Sequence, residues 1–543
     1  MKSNYFLILS LLLITFFTGS AISQKKDSGI QNITARDLES HMSFLASPLL
    51  RGRENGESGL EIAQQYIITQ ARLMGLKPAS GNSFLQPYVI EKSIMHPEKT
   101  MISITGSNGE TVTIRKPLYQ ILPTGPADFT VSGEVIFAGY GLRQDRYGYN
   151  DFAGIDAKGK ILLVMWGAPT TDDGKKYLFE GVDWSSFMSV QAKLTPLLFT
   201  GAGAVMIVMD PKSGFTSIDQ KYPGLSGQLN SSYNLKGEKP RTIQMPNLPK
   251  ILLADRSVAD ELLKGSGRTL EQLQKEIDSS LKPASFTIQE KQVTITESLL
   301  KKEITLNNIA AVIDGSDPAL KDEYVVFMAH ADHIGAAGDK INAGADDNAS
   351  GCSALLSIAS AFNSLKKKPQ RSLLFLWVSG EEIGLYGSQH YVNNPLVPLG
   401  KTVATLNMDM IGRLKGVADT TAENPMTGSH EVFVITGNQS AELLRIAQEE
   451  DESTILDFDY SLSGRDHTLQ LFSRSDHYNF VKNDIPVLFF TTGLHTDYHT
   501  PGDVIEKIDF DKMELVTRTI WKIGFNVADR KERIIVDNPY SKW

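Results

Sequence analysis

The sequence predicts an α/β fold: a mixed, mostly parallel sheet flanked by helices, interrupted by an inserted β-rich domain. Three observations carry that reading. From about residue 300 onward, short apolar runs recur at 308–313, 323–329, 372–378, 402–407, 431–436 and 485–490. Helical patterns lie between several of them, notably 351–365 and 440–450, and strands alternating with helices build a parallel sheet covered on both faces. Between about 96 and 295 the character changes to β runs punctuated by Gly and Pro, with long polar loops.

At 543 residues the chain exceeds one ordinary domain. Its 41% apolar and 22% charged content fits a globular protein. The net charge of −9 argues against nucleic acid or an anionic membrane as the main partner, and no Lys/Arg-rich tract contradicts it.

The first 23 residues read as a secretory signal. Lys2 precedes an apolar run at 5–17, and the small residues of 18–23 follow, placing cleavage near Ser23. The run is shorter than the roughly 20 apolar residues a membrane span needs, so no stable membrane anchor is expected. The chain is therefore expected to be exported, to the periplasm or beyond. Cys352 is the only cysteine, which excludes an internal disulfide, and its setting in GCSALLSIASAF predicts a buried helix residue.

Residues 24–95 form the first piece of the main domain. Thr34 can cap a helix through Leu38, Met42, Phe44 and Leu45. A turn-rich loop from Ser47 leads into a second amphipathic helix, 58–73, that stops at Gly75. Residues 96–299 form the insert, with a β-hairpin at 100–114 and further strands at 133–141, 160–165 and 203–209. No histidine occurs between His96 and His330, so the insert offers no ligand cluster. Residues 300–543 resume the main domain.

In that last part, His and acidic residues stand at or just past the ends of apolar runs, where α/β sheets bind ligands. His330 ends the run at 323–329, with Asp332 two residues on as a partner for the imidazole's other N–H. Asp346 and Asp347 precede the helix at 351; an acidic pair there can cap the helix or bridge two cations. Glu381 and Glu382 follow the run at 372–378, which leaves one to ligate and one free to move a proton. Asp409 repeats the strand-end position. In HTDYHTPGD, Thr, Pro and Gly indicate a loop, where one of His495 and His499 can ligate and Tyr498 offers an O–H to an oxyanion. Two imidazoles and three carboxylates are a donor set for two divalent metals.

The strings AHADHIG, GADDNASG, SGEEIGLYGS, NMDMIG and DYHTPGD resemble the M28 family of co-catalytic di-zinc peptidases, the bacterial aminopeptidase type, across about 33–95 and 300–543. The resemblance implies a zinc-peptidase fold and two Zn²⁺ per chain. It implies His330, Glu382, Asp409 and His499 as ligands, Asp347 as the shared ligand, and Glu381 as the general base. Asp332, Asp346 and His495 would support these. It also implies a non-proline cis peptide after Asp347. His/carboxylate sites accept Co²⁺ or Mn²⁺ as substitutes. The strand-rich block looks like the protease-associated domain of some members, matching more loosely over 133–141, 156–164 and 201–209. The expected function is hydrolysis of N-terminal residues from peptides by a metal-activated water. A carboxypeptidase or dipeptidase on the same scaffold, a one-zinc glutaminyl cyclase, and a non-catalytic binding ectodomain are the alternatives. The partner of the insert is not readable.

Overall fold

The computed structural model describes residues 29–122, 127–179, 189–222, 231–238, 248–417, 419, 425–467 and 469–542. The expected signal segment, 1–23, lies outside the described residues. The chain divides into two compact units: Met1–Val89 with Thr305–Trp543, and Ile90–Ile304.

The first unit is built on one mixed sheet. Its strands are β1 (Leu85–Met95), β2 (Leu299–Ile313), β3 (Tyr324–His330), β4 (Ser372–Val378), β5 (Thr402–Met408), β6 (Glu431–Thr436), β7 (Asp457–Asp459) and β8 (Val487–Thr491). The spatial order is β1-β2-β4-β3-β5-β8-β6-β7. The central strands β4, β3, β5 and β8 run parallel, whereas β2 pairs antiparallel with β4, and β6 antiparallel with β8. This is the mixed sheet the sequence predicts, parallel across its centre and antiparallel toward its edges. The register aligns the strand ends: His330 lies opposite Val378, and Met408 opposite Phe490. The carboxyl ends of four neighbouring strands therefore finish at one edge.

Alternation within β3 explains its burial on both faces. Val325, Phe327 and Ala329 point into one core, and Val326 and Met328 into another. The first core is completed by helices α1 (Ala35–Leu45), α2 (Ser58–Leu73), α3 (Gly351–Ser364) and α6 (Phe510–Asp529), through Leu38, Ile67, Phe362 and Trp521. Thr34 caps α1 by accepting the Asp37 N–H at 3.1 Å. Gly524 on α6 faces the Phe327 ring so closely that an added Cβ would come within 2.1 Å of it, so only glycine lets helix and strand meet there. On the opposite face lie α4 (Tyr386–Asn393) and the short α5 (His477–Val481), with Tyr391 and Phe480 stacked at 5.7 Å.

The second unit holds an eight-stranded sheet. Met101–Gly106 and Thr111–Ile114 form the antiparallel hairpin, and Phe129–Phe137, Ile161–Met165, Ala204–Val208 and Lys250–Ala254 run parallel in that order. The sequence reading recognises strands here but no helices. The structure adds Arg256–Leu263, capped by Asp255, and Leu270–Ser280, opened by a capping box between Thr269 and Gln272. Ser231–Leu235 pairs antiparallel with the 90–94 half of β1.

Candidate metal centre

The site lies at the carboxyl edge of the parallel strands in the first unit. His330 closes β3 and is 1% exposed. Its Nε2 is 3.2 Å from Asp409 Oδ1 and 3.3 Å from Asp347 Oδ1. Asp409 directly follows β5, and its second oxygen accepts the Ser475 hydroxyl at 2.8 Å. Asp347 enters from the turn ahead of α3, across the cis Asp347–Asn348 peptide that the resemblance implies. Its Oδ2 faces the other way, 3.2 Å from His499 Nε2. That same nitrogen is 3.0 Å from Glu382 Oε2. One buried carboxylate thus presents its two oxygens to two separate His–carboxylate groups.

The donor geometry fits cations. His499 Nε2 sits within 3.2 Å of two carboxylates yet forms no hydrogen bond among the described residues. His330, Asp347 and Asp409 converge tightly enough to hold one ion, as do His333, Asp347 and Glu382. Histidine nitrogens and carboxylate oxygens suit zinc and related divalent metals. Without a cation, clustered charges set the titration. Burial would raise the Glu382 carboxyl and Asp347 repels it too, but His499 and His333 hold it down at about 2. Burial opposes Asp347 as well, and the facing histidines hold it well below the usual carboxylate range. Glu381 is the opposite case. Burial, then Glu382, Asp409 and Asp476, push its carboxyl well above the ordinary value despite His330.

Supporting contacts explain how the loops hold these positions. The sequence reading pairs the Asp332 carboxylate with the His330 N–H. Instead, His330 Nδ1 donates to the Asp332 backbone carbonyl at 3.1 Å, and the carboxylate stands 3.9 Å away. The Asp332 carboxylate accepts the backbone N–H groups of Glu381 and Glu382 at 3.3 and 3.2 Å, and the Asn55 amide at 2.6 Å. Asn55 in turn accepts the Gly380 N–H at 3.0 Å. The Glu pair is therefore positioned through its backbone. Asp346 belongs to neither group and accepts the Gly412 N–H at 2.7 Å. His495 is fully buried, with Nε2 3.6 Å from Asp346 Oδ2 and 3.8 Å from Asp503. Tyr498 stacks on His499 at 3.8 Å, and its hydroxyl accepts from Arg474 at 3.4 Å.

Three contributors escape the sequence reading. His333 donates toward Glu382 Oε1 at 2.6 Å. Asp503, the last acid of DYHTPGD, accepts the backbone N–H groups of Asp346 and Asp347. Arg53, buried in the loop before α2, donates to the carbonyls of Ala331, Leu45, Ala343 and Gly344 and so ties the His330 and Asp347 loops together. The places of Asp503 and His333 in family-like strings are usable signals; Arg53 has none. Cys352 is buried as expected, its Sγ donating to the His330 carbonyl at 3.0 Å.

Beside Asp347, Glu381 and Asp409 opens a small cavity of about 30 Å³ that Met410, Leu471, Phe489 and Leu494 also line. A histidine–carboxylate cluster able to hold metal, at the strand ends of a mixed α/β sheet and opening on such a cavity, is an arrangement that suits metal-assisted hydrolysis. Residues 308–524 match the model of peptidase family M28. A probable leucine aminopeptidase 1 of Trichophyton verrucosum is 31% identical over 218 residues, 38% of this chain and 54% of that protein. A probable glutamate carboxypeptidase of Arabidopsis thaliana is 24% identical over 355 residues, 60% of this chain and 46% of that protein. The chain thus spans about half the length of the curated relatives it matches. The aminopeptidase from Aneurinibacillus sp. strain AM-1 shares the fold, with a TM-score of 0.52 at 18% identity over 94% of this chain and 97% of that one.

Proposed function

We propose that this chain is an exported aminopeptidase that removes N-terminal residues from peptides with two zinc ions, His330 and Asp409 holding one, Glu382 and His499 the other, and Asp347 shared. The observation that carries the reading is the divided Asp347 carboxylate, one oxygen 3.3 Å from His330 and the other 3.2 Å from His499. When bound, the ions would polarise the scissile carbonyl and make water a nucleophile at neutral pH. Glu381 lines the cavity beside them and is built to hold a proton: it takes one from the attacking water and delivers it to the leaving amine. Tyr498, kept protonated by burial and by Asp347 and Glu382, hydrogen-bonds the oxyanion. The carboxylates that line the cavity suit the substrate's α-ammonium, and the apolar residues beside them suit an apolar side chain.

A second reading is a carboxypeptidase. Arg474, in the cavity wall, offers a cation to a substrate carboxylate, and one relative carries that name. Unit Ile90–Ile304 we read as a protease-associated insert, a reading supported by its strand-rich sequence. Export rests on the segment at 1–23, which N-terminal sequencing of the mature protein would test. The test of the main reading is zinc content together with turnover of leucine reporters and of N-blocked and C-blocked peptides. Two zinc ions per chain, turnover abolished by chelation and restored by zinc, and loss only of N-blocked substrates are expected. One zinc per chain would favour the cyclase, and hydrolysis of N-blocked peptides would sink the aminopeptidase reading.

A further inference from the structure

We infer that His333 is a positioning residue for the second metal site: it donates its Nδ1–H to Glu382 Oε1 and so leaves Oε2 as the one oxygen aimed at the ion. The inference rests on the proposed metal centre. His333 follows His330 by three residues in AHADHIG, and its ring is fully buried. The 2.6 Å contact to Oε1 is short, as expected for a donor facing an ionised carboxylate. Oε2 of the same carboxylate lies 3.0 Å from His499 Nε2. The two oxygens of Glu382 are thus divided between two imidazoles, one on each.

His333 is also near enough to be a ligand itself, since Nδ1 is 3.7 Å from Asp347 Oδ2. The far side of the ring decides between the roles. Nε2 is buried and has no hydrogen-bond partner among the described residues. Ligation through Nδ1 would force the proton onto Nε2, leaving a buried N–H with no acceptor. With the proton on Nδ1, Nε2 keeps only an unused lone pair, the milder defect. The ring is also clamped. Gly344 has φ 61°, and a Cβ there would lie 2.5 Å from His333 Cδ2 and 2.3 Å from the Asp347 carbonyl, so glycine is what leaves the imidazole its place. His499 packs edge-on against the other side at 5.7 Å. A carboxylate held by one oxygen in this way cannot swing or chelate with both.

The test compares His333→Leu, which fills the space without donating, with His333→Asn, whose Nδ2–H reaches about where Nδ1–H does. Full-length proteins stripped of metal are titrated with Zn²⁺ against a chromophoric chelator, and Co²⁺ spectra report each site. The wild type should take two Zn²⁺. His333→Leu should bind the second about 10- to 100-fold more weakly with the first unchanged, and His333→Asn should recover most of that loss. Equal second-site affinities for the two variants, or parallel weakening of both sites, overturns the inference. Should His333→Leu fail to fold by circular dichroism, His333→Ala takes its place. A wild type that binds fewer than two Zn²⁺ overturns the metal-centre reading itself, a result distinct from any variant outcome.

Discussion

The carboxylate of Asp503 accepts the backbone N–H of Asp347 at 3.0 Å, so the loop that carries His499 also holds the residue His499 faces. The same carboxylate takes the Asp346 N–H, and the Arg413 guanidinium stands 3.7 Å from it. The angle at which Asp347 presents its two oxygens is therefore set from the far end of the chain. Asp503→Ala should lower zinc affinity about 10- to 100-fold, measured by chelator competition, while Asp503→Asn, which keeps one acceptor oxygen, should lose less. Unchanged affinity in both variants would show that the loop holds itself.

Glu381 tests the division of labour within the acidic pair. Glu381→Gln should keep both zinc ions and lose about 10²- to 10⁴-fold in kcat, the usual share of a general acid–base. Glu382→Gln should instead lose metal. Full turnover with metal retained in Glu381→Gln would remove its proton-transfer role.

Tyr498→Phe keeps the ring stacked on His499 and removes only the hydroxyl. An oxyanion donor is worth about 10²- to 10³-fold in kcat with KM little altered. A KM effect alone would instead make the hydroxyl a substrate-binding group.

Arg53→Met keeps much of the apolar stem and strips the carbonyls of Leu45, Ala331, Ala343 and Gly344 of their donor. Loss of so many buried charged hydrogen bonds should cost at least about 3 kcal/mol in chemical denaturation. A cost under about 1 kcal/mol would mean that the loops relax onto other partners.

Burial pushes the Cys352 thiol up to about 12. At pH 8 its thiolate is then on the order of a thousandfold scarcer than that of an open thiol. Iodoacetamide should label it only after unfolding. Rapid labelling of the native protein would place the thiol at the surface.

The parts of the fold and site that are legible along the chain share a cause. β3, β4, β5 and β8 are buried on both faces, so each is a nearly unbroken apolar run, and a His or acid at its end stands out at once. His330, Glu382 and Asp409 are found that way, Asp347 ahead of a helix and His499 in a loop by the strings around them, and the structure brings each within a few ångströms of another. Arg53 cannot be found so. An arginine between glycines and acids looks like an ordinary solvated side chain until the two loops it bonds are in space. His333 shares its string with His330, and nothing along the chain reveals that Glu382, 49 residues on, is its partner. Sequence spacing pairs the Asp332 carboxylate with the wrong N–H because a strand-end imidazole two residues away meets the nearer backbone carbonyl first. In the second unit, the caps at Asp255 and Thr269 announce helices that the surrounding β runs obscure.

Asn55 binds Asp332 and Gly380, yet 215 residues of a separate unit lie between Val89 and Thr305 in the chain. The consequence is temporal. During synthesis, Arg53 and Asn55 are made before that whole unit, and His499 and Asp503 well after it. No nascent chain that stops short of Asp503 contains a complete centre. Whatever chemistry the centre performs is absent until that point of synthesis is passed.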